Sequence, residues 1–196
     1  MRHPDGPALL EARGVPQVWR RSVAEALAVI DWLDGRLAPL ERELRPLARA
    51  DPRVELLETI PGIGALLGLT IATEIGDVAR FASARKLVGY AGLAPKIKQS
   101  GQSSRPGPLS KAGSKRLRWA AVEAAQHAWR ETNPWHELYR DVAKRKGKTN
   151  AGKAAVARKI LIAAWHVLSR EQPFKPCCRH GDTNPVPASS HFHLAA

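Results

Sequence analysis

The sequence has little cysteine and no long apolar run. Its two cysteines, Cys177 and Cys178, are adjacent, and neighbouring cysteines rarely bridge, so a disulfide-based fold is not expected. The chain contains no run of 18 apolar residues, and its first residues lack the apolar core of a signal peptide. These absences predict no membrane span and a reducing, cytoplasmic location. The cysteine pair with His191 and His193 lacks the paired spacing of a zinc fold, so no metal or other cofactor is expected in this chain.

Acidic residues are scarce in the middle of the chain. The whole sequence has a net charge of +13. Between Arg80 and Lys159 there are 19 Lys or Arg residues against 4 acids, a net charge of +15, whereas the remaining residues hold 12 against 14. A contiguous basic region is typical of a nucleic-acid footprint. A membrane-surface protein is disfavoured, because no long amphipathic helix places aromatic residues opposite lysines.

Apolar residues recur at steps of three and four in a first helix that begins near Ser22. They are Val23, Ala26, Ile30, Leu33, Leu37, Leu40, Leu44 and Leu47. This spacing predicts a coiled-coil or helical-hairpin seam, with an ordinary amphipathic helix packed on its own domain as an equal alternative. Pro39 and Pro46 predict an end or a kink beyond Leu37, because each proline removes a backbone donor and clashes with the preceding turn.

The next segment, from Leu56 to Pro95, places apolar helices on both sides of the tetrapeptide Pro61-Gly62-Ile63-Gly64. This pattern is the signature of a helix-hairpin-helix, in which Gly62 and Gly64 allow a positive φ and close approach. The free amides of the second helix then bind a phosphate oxygen. Such contacts hold a duplex without reading its sequence. A plain helical hairpin is the alternative.

A Ser/Gly/Lys/Arg-rich stretch follows and has little to form a core, so we predict a basic loop and then two or three C-terminal helices. The fold class is therefore all-α. The chain divides into a loosely ordered N-terminus (1–20), a coiled-coil-like segment (21–50), a helical domain (54–170) and a tail (172–196) whose Pro/Ser/His-rich composition predicts disorder.

The segment from Gly147 to Ala154, GKTNAGKA, nearly matches a phosphate-binding loop. The pattern requires Ser or Thr where Ala154 stands and an apolar strand before the first glycine, where this chain has DVAKRK. Both requirements fail, so the segment is interpreted as a basic hinge. Serines are plentiful in the preceding region, and composition alone singles out none of them as a nucleophile.

Several separated motifs resemble the C-terminal domain of transposases of the insertion-sequence 110/116/902 group. In chain order they are LLETIPGIG, LVGYAGLAP, a QSG segment, LSKAGSKRLRWAAVEAA, NPWHELY and ARKILIAAWHVL. The resemblance covers about residues 54–168. It implies DNA transposition or site-specific recombination, a structured guide RNA as a second partner, and a separate N-terminal acidic domain that would hold Mg²⁺. No carboxylate positions of that domain are found in this sequence, which suggests a truncated copy that is inactive in isolation.

The resemblance also assigns the catalytic serine of the group to Ser100, in Gln99-Ser100-Gly101. The residues expected to contact DNA or RNA are the turn residues Gly62, Ile63 and Gly64, the cations around the serine, and those of the hinge. The cations are Lys98, Arg105, Lys111, Lys115, Arg116, Arg118, Lys144, Arg145, Lys146 and Lys148. Association of copies through the first helix is also expected.

Two other classes of protein fit the sequence without the resemblance. One is a non-enzymatic nucleic-acid-binding module or a regulatory remnant. The other is a structural helical hairpin whose charge serves an acidic protein partner. Salt-sensitive DNA binding would distinguish a transposase part or a nucleic-acid-binding module from the structural helical hairpin.

Overall fold

The structure, a computed structural model, describes residues 6–100 and 103–176, without the side chains of residues 7, 97–100 and 103–106. Within those residues the fold is mainly helical, which confirms the predicted class. The elements are α1 (Gly6–Ala12), α2 (Gln17–Ala50), α3 (Pro52–Glu58), α4 (Ala65–Ile75), α5 (Ala84–Tyr90), β1 (Pro95–Ser100), β2 (Ser103–Leu109), α6 (Lys115–Ala124), α7 (His136–Lys146) and α8 (Thr149–Arg170). No helix in the described part of the chain is both long and apolar enough to cross a bilayer.

The long N-terminal helix continues through both of its prolines. We expected an end or a kink beyond Leu37, and α2 extends as a single helix to Ala50 with Pro39 and Pro46 inside it. A proline leaves the carbonyl four residues earlier without its amide partner. Those carbonyls belong to Gly35 and Arg42, which are both exposed, so water can satisfy them and the helix can persist.

The core is centred on α8, which packs against α3, α5, α6 and α7. Its apolar stripe recurs at helical spacing and includes Val156, Ile160, Leu161, Ala164 and Leu168, all of them buried. The facing side of α6 carries small residues, which allow the two helix backbones to approach closely. Those buried residues are Ala120, Ala121 and Ala124.

The basic hinge is a tight helix-to-helix connection. Gly147 ends α7 in the left-handed conformation at φ 62°, and α8 begins two residues later, as is common at helix C-termini. Gly152 lies inside α8, where a Cβ atom would stand 2.6 Å from the Tyr139 carbonyl oxygen. In the GKTNAGKA segment, Gly147 therefore forms a turn and Gly152 allows α7 and α8 to cross closely.

The chain after α8 returns across the domain. The Phe174 amide donates to Thr59 Oγ1 at 2.8 Å, and its ring lies 5.4 Å from that of Trp135. The start of the segment for which we predict disorder is thus packed on the turn after α3. The adjacent cysteines at 177 and 178 lie outside the described residues.

The segment expected as a basic loop forms a two-stranded antiparallel hairpin. Pro95 pairs with Leu109 at its base and Ser100 with Ser103 at its far end, with an irregularity after Pro95. Proline, glycine and serine are depleted in strands, so the composition alone indicated a loop. The hairpin is instead held by long-range contacts at its base.

Candidate nucleic-acid interface

The motif around Pro61 forms two helices, α3 and α4, joined by a tight turn. Asp51 caps α3 by accepting the Arg53 amide, and the Arg53 guanidinium binds the same carboxylate at 2.6 Å. This side-chain hydrogen bond holds the pKa of Asp51 below its usual value. Arg53 Nη1 also donates to the Gly76 carbonyl oxygen at 2.8 Å. One arginine therefore links the start of α3 to the end of α4.

Within the turn, Ile63 has a structural role. Its side chain is buried, and its amide donates to the Ile60 carbonyl oxygen at 3.1 Å. This amide already has an acceptor in the turn. The Ile63 side chain thus packs the turn against the core. The backbone amide that we expected to bind phosphate at this residue already donates to a carbonyl oxygen within the turn.

The two glycines of the turn differ in conformation. Gly62 has φ +95°, and a Cβ atom there would collide with the Ala124 carbonyl oxygen on α6. Gly64 has φ −108°, lies open to solvent and is the N-cap of α4, which has no side-chain cap. The expectation that Gly64 requires a positive φ is wrong. The requirement belongs to Gly62, while Gly64 leaves the first amides of α4 accessible.

This difference predicts unequal stability effects at the two glycines. Gly62→Ala should lower the free energy of unfolding by more than about 2 kcal/mol, because it combines left-handed strain with a backbone collision. Gly64→Ala is the matched control and should cost less than about 1 kcal/mol, the effect of a poorer N-cap. Urea unfolding monitored by circular dichroism measures both. Equal losses at the two positions would contradict this assignment.

Two loops interlock beneath the β1–β2 hairpin, and we call residues 91–94 and 110–114 the hairpin base. The Ser110 amide donates to the Ala94 carbonyl oxygen at 2.9 Å, and the Lys111 amide donates to that of Gly92 at 3.0 Å. Lys111 has φ 53° and Gly92 has φ 70°. A non-glycine residue in the left-handed region persists where its surroundings fix it. The two loops of the hairpin base therefore hold each other in a defined conformation beneath the two strands.

Arg118, predicted as a DNA contact, holds the hairpin base together. Its Nη1 donates to the Ala91 carbonyl oxygen at 3.0 Å and to the Lys111 carbonyl oxygen at 3.1 Å. A Cβ atom on Gly92 would stand 2.6 Å from the same nitrogen. Arg118 thus bridges the two loops through the space that Gly92 leaves open.

Removing this bridge should destabilise the domain. Arg118→Met keeps the apolar stem but removes the donors, and we expect a loss of about 1–3 kcal/mol in unfolding free energy from the unpaired carbonyls. Arg116→Met is the control, because the Arg116 side chain is 84% exposed and its change should stay within about 0.5 kcal/mol. Thermal or urea unfolding of the two variants measures the difference. A similar small loss for both would show that the bridge contributes nothing to stability.

A carboxylate links the hairpin base to the α3–α4 helix pair. Ser114 caps α6 by accepting the Leu117 amide at 3.0 Å, and its hydroxyl donates to Glu74 Oε2 at 2.7 Å. Glu74 lies in the last turn of α4, where the helix dipole disfavours an acid. Sequence analysis assigned no role to Glu74, although its unfavourable position on the helix was a detectable signal. This hydrogen bond connects the last turn of α4 to the hairpin base.

The predicted cations fall into two groups on different elements. Lys111, Lys115 and Arg116 are exposed at or beside the hairpin base. Lys144, Arg145, Lys146 and Lys148 are exposed at the α7–α8 connection, where the last-turn cations also complement the helix dipole. The backbones of Lys98, Ser100 and Arg105 lie in the hairpin, with Ser100 at the end of β1; their side chains lie outside the described residues.

Comparison with known proteins agrees with this arrangement. Residues 54–140 match the transposase IS116/IS110/IS902 family, a range that contains the turn between α3 and α4, the hairpin base and α6. The chain belongs to the IS116/IS110/IS902 transposase family. This finding confirms the resemblance seen in the separated motifs.

Individual relatives support the same assignment. The chain is 30% identical over 147 residues to an uncharacterised 44.8 kDa protein of insertion element IS116 from Streptomyces clavuligerus, covering 74% of this chain and 36% of that protein. It is 29% identical to a probable family 20 transposase of Pseudomonas aeruginosa, covering 74% of this chain and 44% of the relative. It is 33% identical to a pilin gene-inverting protein of Moraxella bovis, and the match covers 73% of this chain and 46% of that protein. The chain thus spans less than half the length of these relatives.

Proposed function

We propose that this chain is the DNA-binding, serine-bearing part of an insertion-sequence transposase. The observation that carries the proposal is the hairpin base, where two interlocked loops from the family-matched segment support a strand that ends at Ser100. Exposed Lys111, Lys115 and Arg116 lie at or beside the hairpin base. A phosphodiester approaching the end of the strand would meet positive charge on a rigid support.

The chemistry proposed for Ser100 is attack on a DNA phosphate. Its hydroxyl oxygen forms a bond to phosphorus, the bond from phosphorus to one deoxyribose oxygen breaks, and the departing oxygen gains a proton. Cations near the phosphate would stabilise the extra negative charge of the pentavalent transition state. A second strand's hydroxyl can then displace the serine and restore a phosphodiester.

The Mg²⁺ that the resemblance implies does not fit the described part of this chain. No three His, Cys, Asp or Glu side chains gather there in the manner of a metal site. We therefore assign Mg²⁺ to the acidic domain of the family and derive no step through it. This chain's contribution is to bind the phosphate backbone and position the serine.

The α4 N-terminus supports duplex binding away from the serine. Gly64 is exposed, and the first amides of an α-helix lack intrahelical acceptors. A phosphate oxygen fits such a position. The direct test is a titration of the chain with duplex DNA at several salt concentrations.

We also propose the structured guide RNA as a partner, because its phosphates offer the same negative charge to the exposed cations of the hairpin base and α6.

A second copy of the chain is the proposed partner of α2. The predicted seam is solvent-accessible in the monomer, with exposed fractions of 42% at Ile30, 50% at Leu37 and 60% at Leu47. Only near its C-terminal end is the helix buried, at Ala48. A heptad stripe left open over most of a 34-residue helix is typical of a coiled-coil strand before association.

Charges placed in this seam should prevent association. The double variant Leu33→Glu and Leu40→Glu should shift the protein from dimer to monomer in sedimentation or light-scattering measurements. Ala28→Glu with Arg42→Glu places two acids on the opposite side of the same helix and should leave the dimer intact. A monomeric wild-type chain at high concentration would argue against self-association through α2.

A further inference from the structure

Trp119 is a large aromatic residue that the fold leaves open. It lies on α6 with 56% of its surface exposed, while Leu117, Ala120 and Ala121 of the same helix are completely buried. The core therefore does not require an indole at this position.

The surroundings of Trp119 are basic. Lys115 and Arg116 precede it by four and three residues on the same helix, and both are exposed. Because side chains on an α-helix lean towards its N-terminus, we expect the indole to lie over the turn that carries these two cations. That turn begins at Ser114, the last residue of the hairpin base. Trp119 thus lies close along α6 to the hairpin base, which supports the strand that ends at Ser100.

This combination discriminates between classes of partner. A protein interface core is apolar and depleted in charge, whereas the exposed neighbours of Trp119 along the helix are Lys115, Arg116 and Glu123. A duplex presents its bases stacked inside, where an indole on a helix surface cannot reach their faces. An unpaired nucleotide matches both features, because its base has a free flat face and its phosphate is negative.

We propose that Trp119, with Lys115 and Arg116, is a stacking site for an unpaired base of a DNA strand. The inference rests on the proposed function, which brings a DNA phosphodiester to the adjoining hairpin. Exchange of strands at that phosphodiester requires bases beside it to leave their partners. The indole would hold one such base while the two cations bind its phosphates.

The test compares three probes on the folded chain: oligodeoxythymidine, oligouridine of the same length, and a DNA duplex. Trp119→Leu keeps an apolar side chain but removes the aromatic face. Its affinity for oligodeoxythymidine should fall by roughly tenfold or more, the effect of losing one stacked base, while its duplex affinity stays at the wild-type value. Circular dichroism should show an unchanged fold, since the site is exposed.

Trp129→Leu is the matched control. Trp129 is equally open, at 57% exposure, but the Arg130 guanidinium already lies 5.6 Å from the centre of its ring. This variant should bind oligodeoxythymidine like the wild type. An equal loss in both variants would overturn the site, because the effect would then follow tryptophan content and not position.

The remaining outcomes also decide the proposal. Unchanged oligodeoxythymidine binding by Trp119→Leu, or an equal loss on duplex DNA, would overturn it. A loss confined to oligouridine would show that the site serves RNA and would overturn the assignment to DNA. Absence of duplex binding by the wild type would contradict the proposed function itself, and so the two failures are distinguishable.

Discussion

Duplex DNA affinity is expected to fall by about a thousandfold or more when the salt concentration rises from about 50 to 200 mM. The basic region between Arg80 and Lys159 has a net charge of +15, and we expect it to neutralise roughly five to eight phosphates. Each neutralised phosphate releases condensed counterions, so log K should decrease against log salt by nearly one unit of slope per contact. Fluorescence anisotropy with a labelled duplex measures this slope.

Two exposed cations of α6 are expected to contribute to that slope. Replacing Lys115 and Arg116 with Ala should make it shallower by about two units and weaken binding to all duplex sequences alike. Arg36 and Arg49 are exposed on α2, outside the basic region, and their replacement removes the same charge as a control. A slope near zero for the wild type would contradict nucleic-acid binding and favour an acidic protein partner.

Local sequence signals were sufficient for several helices of this fold, although not for the full extent of α2. The helices around Pro61 and the final helix follow from apolar residues at helical spacing, and Asn133 with Pro134 marks the end of one helical stretch and the approach to the next. These features depend on residues close together in the chain.

The features that sequence analysis missed depend on contacts between distant residues. Hydrogen bonds from the Ser110 and Lys111 amides to the loop after α5 close the hairpin at its base, and no periodicity in its strands reveals them. Arg118 resembled any other basic residue, yet its two carbonyl partners belong to different loops. Likewise, both glycines of PGIG suggested backbone freedom, and only the approach of Ala124 shows that Gly62 requires it.

The persistence of α2 shows a related limit. Proline rules describe the cost to an isolated helix, whereas two solvated prolines can be tolerated where the freed carbonyls meet water. The apolar seam along this helix is exposed to solvent. It is therefore available for the predicted association of α2 with a second copy of the chain. The sequence alone could not distinguish that seam from a face packed on its own domain, and the exposure of Ile30, Leu33 and Leu37 favours the former.

Ser100→Ala is expected to abolish covalent attachment to DNA in a reconstituted reaction. The reaction would supply the acidic domain from a related full-length transposase and a DNA substrate with its guide RNA. Without the Ser100 oxygen no bond to phosphorus can form, so no DNA adduct should survive denaturation. Mass spectrometry of the denatured protein, or its retarded migration with labelled DNA, detects the adduct.

Neighbouring hydroxyls serve as controls for this assignment. Ser103→Ala and Ser104→Ala alter the facing strand of the hairpin and should preserve the adduct. Tyr139→Phe should also preserve it, because that side chain packs against α8 at Gly152. An adduct formed by Ser100→Ala would overturn the choice of nucleophile.

The same assay separates an active transposase part from a binding module or regulatory remnant. The chain alone is expected to bind DNA without cleaving or joining it, because its described residues offer no cluster of metal-binding side chains to orient the phosphate and the leaving oxygen. An adduct that requires both Ser100 and the added acidic domain would establish a divided active site. Strand joining by the chain alone would show that the hairpin and its cations suffice for the chemistry.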